Sequence, residues 1–85
     1  MKEFNYIISD PVGFHAKPAR KLVELMNTID SKVYLCTDTR KVEATKLIRM
    51  ISLGLVTGSS VKIVIEGGNE EKSFAILKDF FSNNV

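Results

Sequence analysis

Seven short periodic segments, each closed by turn-forming residues, leave this chain few ways to fold. Phe4, Tyr6 and Ile8 alternate along Phe4–Ile8, the period of a half-buried strand. Ser9-Asp10-Pro11-Val12-Gly13 then interrupts it with turn formers. From Ala16 to about Asn27 the period becomes helical. Ala19, Leu22, Val23 and Met26 share one face, and Lys17, Arg20, Lys21 and Glu24 share the opposite one. Pro18 fits the first helical turn, where its missing N–H has no partner to lose. Lys32–Cys36 and Arg40–Val42 flank Thr37-Asp38-Thr39 and predict a hairpin. Leu47–Ile51 predicts a short helix, with Gly54 as its stop. Val61, Ile63 and Ile65 alternate with Lys62, Val64 and Glu66 in a fourth strand, and Gly67-Gly68 is a turn. Asn69 caps a last helix whose first turn carries Glu70 and Glu71, well placed for its dipole. The apolar stripe of that helix is Phe74, Leu77 and Phe81.

The order is β-α-β-β-α-β-α, an α+β pattern. Strands this short are buried most economically as one sheet with helices on one face. The short connection between the second and third strands makes that pair antiparallel. With 85 residues, one domain spanning 1–85 is expected. So small a domain has one modest core and no room for a deep substrate pocket, which places function on the surface.

Composition removes several function classes. The net charge of +2 is too small to attract nucleic acid, and no basic stretch is interleaved with aromatic residues. Cys36 is the only cysteine, so no internal disulfide holds the fold. His15 and Cys36 are too few nitrogen and sulfur ligands for a metal site, and no cofactor is expected. The first residues lack the apolar run of a signal peptide. No stretch approaches the ~20 apolar residues that would span a bilayer. The cytoplasm is the expected location.

The chemistry is concentrated in Gly13-Phe14-His15-Ala16-Lys17-Pro18-Ala19. His15 is the only histidine, and it stands where the first helix begins. The first N–H groups of a helix have no internal partner, and the helix dipole adds partial positive charge there. Such a place disfavours an imidazolium and favours an anion. A neutral ring keeps a lone pair for attack on phosphorus. The product sets roughly two negative charges beside the N–H groups of Ala16 and Lys17. The Lys17 ammonium adds a full positive charge, and Arg20 lies one turn further along the same face. A lone histidine at a helix start is most often an ordinary polar surface residue. Here the adjoining glycine, lysine and proline each have a separate physical reason to be present.

These residues resemble the HPr family, the histidine-containing phosphocarriers of the bacterial phosphoenolpyruvate-dependent sugar phosphotransferase system. Gly-Phe-His-Ala-Lys-Pro-Ala is similar to the family's Gly-Leu/Ile-His-Ala-Arg-Pro-Ala, and Met50-Ile51-Ser52-Leu53-Gly54 is close to its Met-Ser-Leu-Gly segment. The resemblance runs from about residue 3 to residue 82. It implies an open-faced sandwich, a four-stranded antiparallel sheet with three helices on one face. It also implies a non-enzymatic carrier and monomer, phosphorylated on Nδ1 of His15 by phospho-Enzyme I and discharged to IIA domains of sugar permeases. Ala16, Lys17 and Pro18 complete the implied site. An HPr-like regulatory binding module and a carrier in a nitrogen-related phosphorelay remain alternative readings.

Two departures from the family pattern matter. Lys17 stands where arginine is usual, keeping the charge but losing the planar, bidentate fork. Lys46 occupies the position of the serine that HPr kinase phosphorylates in many bacteria, so that modification is not expected; Thr45 is one residue out of register. The short helix carries the implied docking surface. Leu47, Ile48, Met50 and Ile51 are apolar on nearly every side, so part of the set must be exposed. Met50 and Leu53 are the expected core members. Leu47, Ile48 and Ile51 are expected to form a partner-facing patch ringed by Lys17, Arg20, Lys46 and Arg49.

Overall fold

Strand and helix periods resolve into the expected seven elements in a computed structural model of residues 1–85. They are β1 (Lys2–Ile7), α1 (Ala16–Met26), β2 (Lys32–Cys36), β3 (Lys41–Glu43), α2 (Leu47–Ile51), β4 (Ser60–Glu66) and α3 (Glu70–Asn84). The strands form one sheet in the order β1-β4-β2-β3, with every neighbouring pair antiparallel. Phe4 pairs with Ile63, and Ile63 with Leu35, so the apolar positions of three strands form one row across the covered face. The three helices lie over that face and contribute to a single core, in which Leu22, Met50, Leu77 and Phe81 meet Val33, Leu35, Val61, Ile63 and Ile65.

Aromatic packing fixes α3 on the sheet. Phe81 meets Phe4 edge-on at 6.1 Å and Tyr6 at 5.5 Å, and Phe74 meets Phe4 edge-on at 5.3 Å. Such pairs contribute about 0.5–1.5 kcal/mol each beyond their burial. At the helix start the Asn69 side chain accepts the Lys72 N–H, as expected of a cap. Glu70 accepts a hydrogen bond from the Met1 amino group and another from the Gly67 N–H, and these hold its carboxyl below the usual range.

Some boundaries and burial assignments differ from the sequence expectation. Thr28 turns its hydroxyl onto the Leu25 carbonyl at 2.8 Å, and α1 ends at Met26. Arg40 lies outside β3 because its N–H and carbonyl close the hairpin turn against Thr37. Val64, expected on the solvated face, is only 7% exposed. Its strand is central, and Glu3 and Tyr34 flank it on either side. Leu53 is half-buried at the core's edge, whereas Met50 is fully enclosed.

Candidate functional site

The turn before α1 is held by its own backbone and by two other parts of the chain, the segment after α2 and the residue beyond α3. Asp10-Pro11-Val12-Gly13 has the residue types of a type I turn, and the Gly13 N–H closes it on the Asp10 carbonyl at 2.9 Å. The Asp10 carboxylate accepts the Val12 N–H at 2.8 Å. Thr57 donates its hydroxyl to the Asp10 carbonyl at 2.6 Å. The N–H groups of Ser9 and Asp10 both donate to the carbonyl of Val85, beyond α3. Phe14 is buried, and its N–H donates to Leu55 at 2.9 Å.

Glycine is required at position 13. Its φ is +83°, and a Cβ there would lie 2.5 Å from the Leu55 carbonyl oxygen and 2.9 Å from the Val56 Cα. The turn and the segment after α2 therefore pack backbone to backbone.

His15 is the residue that this scaffold presents. It is the N-cap of α1 in extended conformation, and its side chain makes no capping bond. The first helical bond runs from the Ala19 N–H to the His15 carbonyl. The N–H groups of Ala16 and Lys17 have no acceptor within the chain, and Pro18 has no N–H to offer. Two donors are left at the positive end of the helix dipole, where an anion is favoured. The imidazole is 35% exposed. It opens onto a polar cleft of about 210 Å³ shared with Asp10, Lys17, Pro18, Lys21, Asn83 and Asn84. Lys17 and Arg20 are exposed, while Pro18 and Ala19 are buried and anchor the helix start.

A surface histidine beside two unpaired N–H donors, with the Lys17 and Lys21 ammonium groups lining its cleft, suits accepting and releasing a phosphoryl group. The family model for the "PTS HPr component phosphorylation site" matches residues 2–83. The chain belongs to the HPr family. Phosphocarrier protein HPr of Treponema pallidum is 31% identical over 71 residues, covering 84% of this chain and 81% of that one. The crystal structure of HPr-C-His from Thermoanaerobacter tengcongensis superposes with a TM-score of 0.87 at 33% identity, covering 96% of this chain and 92% of that one. An HPr dimer from the same organism gives a TM-score of 0.73 at 32% identity, covering 98% and 95%. HPr proteins are phosphocarriers of the phosphotransferase system, and the α+β fold with four antiparallel strands is theirs.

Each apolar residue expected to face partners is at least partly exposed: Ile48 is 74% exposed, and Leu47 and Ile51 are half-buried. Met50, expected in the core, is at 0%. Lys46 is the exposed N-cap of α2, and Thr45 and Arg49 are also exposed. Helix α2 packs on α1. Val12 and Val56, on the two segments that pack at Gly13, add further exposed aliphatic surface.

Sequence reasoning missed Asp10, Lys21, Asn83 and Asn84 as neighbours of His15, and Val12 and Val56 as exposed apolar residues. The Asp-Pro-x-Gly turn pattern carried a signal for Asp10's place in the turn. Nothing local carried one for Asn84, whose side-chain oxygen lies 3.5 Å from Lys21 Nζ across the fold.

Proposed function

We propose that the chain accepts a phosphoryl group on Nδ1 of His15 from phospho-Enzyme I and donates it to IIA domains of sugar permeases. The observation that supports this reading most strongly is His15 at the N-cap, with the N–H groups of Ala16 and Lys17 unpartnered beside it. In this reading Lys17 supplies charge to the transferred group, and Pro18 fixes the helix start. The exposed Ile48 and the half-exposed Leu47 and Ile51 seat the partner, with Arg20 on the cationic rim. A small apolar centre with a charged rim supports weak, fast-reversing contact, which a carrier requires.

The chain is then a substrate and product of other enzymes, and residues 1–85 act as one unit in the cytoplasm. No helix is long and apolar enough to cross a membrane. The acting form is a monomer, since both docking events need the His15 turn and the α2 face free. The dimer described above is a property of that relative.

The test is reconstitution with Enzyme I, labelled phosphoenolpyruvate and a panel of IIA domains. Label should move onto the carrier and then off it. Discharge to sugar-permease IIA domains should be faster than to a nitrogen-branch IIA domain. A carrier that charges but discharges to none of them would overturn the proposal.

A further inference from the structure

Asp10 is the only carboxylate side chain lining the cleft at His15. Its Oδ1 lies 4.0 Å from Nε2 of His15 and also accepts the Val12 N–H at 2.8 Å. The backbone of Asp10 is pinned by Gly13, Thr57 and Val85. A negative charge is therefore fixed on the Nε2 side of the ring by a rigid turn. The turn itself does not need that charge, because an asparagine oxygen would accept the same Val12 N–H.

We infer that Asp10 is a positioning residue that selects the reactive nitrogen of His15. This rests on the phosphoryl-transfer reading above and deepens it. A neutral imidazole has one N–H and one lone pair, and a carboxylate beside one nitrogen favours the proton there. With the proton on Nε2, the lone pair is on Nδ1. In the transfer step the Nδ1–phosphorus bond forms as the bond from phosphorus to the donor breaks, and the electron pair of that bond leaves with the donor. Nε2 keeps its proton, so the ring gains one positive charge, which the Asp10 carboxylate offsets. Lys17 and Lys21, in the same cleft, bear the opposite charge and match the phosphoryl oxygens. The carboxylate thus acts on the ring and the ammonium groups on the transferred group.

The variants Asp10→Asn and Asp10→Ala separate charge from turn. Long-range ¹H–¹⁵N spectra of the unphosphorylated protein report which ring nitrogen carries the proton. The Nε2–H form should dominate in the unaltered chain. In Asp10→Asn its ratio to the Nδ1–H form should fall about two- to fivefold, the scale of a partly exposed charge pair. The Val12 amide should remain protected from exchange. Phosphotransfer from Enzyme I should slow by a similar factor, and Asp10→Ala should be worse on both measures. An unchanged tautomer ratio in Asp10→Asn, with the turn intact, would make Asp10 a turn former only. Failure of the unaltered chain to take up label would overturn the phosphocarrier reading, while the spectra would still decide what Asp10 does to the ring.

Discussion

Ile48 and Met50 stand two positions apart on α2 and meet opposite surroundings, Ile48 74% exposed and Met50 fully enclosed in the core. Two residues on a helix of 3.6 per turn subtend close to half a revolution, so one short surface helix cannot bury both. Ile48→Lys should leave stability within about 0.5 kcal/mol, the range of surface substitutions. It should weaken binding to Enzyme I and IIA domains. Met50→Ala should lose on the order of 2–5 kcal/mol. Calorimetry and phosphotransfer kinetics on both variants measure the two effects. A destabilised Ile48→Lys with unchanged partner affinity would show that α2 docks through another face.

Gly13→Ala tests the backbone contact beneath His15. The left-handed conformation and the approach of Leu55 and Val56 leave no room for a methyl group. A loss of roughly 1–3 kcal/mol is expected from strain at such a position. Phosphotransfer should fall even where the variant is fully folded, because the turn that carries His15 must move away from the segment after α2. Thermal unfolding and transfer rates taken below the unfolding range separate the two losses. A variant as stable and as active as the original would contradict the packing described.

Lys17 should act mainly through its charge. Its side chain is exposed at the helix start, beside one of the two free N–H groups. Lys17→Arg keeps the charge and adds a bidentate fork, so transfer should be unchanged or faster. Lys17→Glu places a like charge beside the phosphoryl group and should slow transfer severely. Equal rates for the two variants would remove Lys17 from the account.

The start of α2 bears on regulation. Lys46 is the N-cap there and offers no hydroxyl. HPr kinase should leave this chain unmodified, and Lys46→Ser should restore an acceptor. Mass spectrometry of the kinase reaction reads both outcomes. Efficient labelling of Thr45 or Ser52 in the original chain would overturn the expectation.

What could be read from residues alone divides along a physical line. Periodicity reports which face of an element is apolar, so the sheet, the helices and the opposed Ile48 and Met50 were legible. The position of His15 was legible too, because glycine, histidine and proline act on the few residues around them. Val64 was misread because period-two alternation assumes a solvated outer face, whereas flanking strands shield a central one. Asn84 joins the cleft only through α3 packing across the sheet, which no local pattern encodes. Asp10 was visible as a turn residue, but its distance from Nε2 depends on how the turn is pinned to Thr57 and Val85.

The most direct test of the central claim is the site of phosphorylation. The chain and its His15→Ala variant, both shown to be folded, are incubated with Enzyme I and labelled phosphoenolpyruvate. Phosphate is then located by mass spectrometry under basic conditions. The account predicts a single acid-labile, base-stable phosphoramidate on His15 and no label on the variant. Label taken up by His15→Ala at the original rate would contradict it.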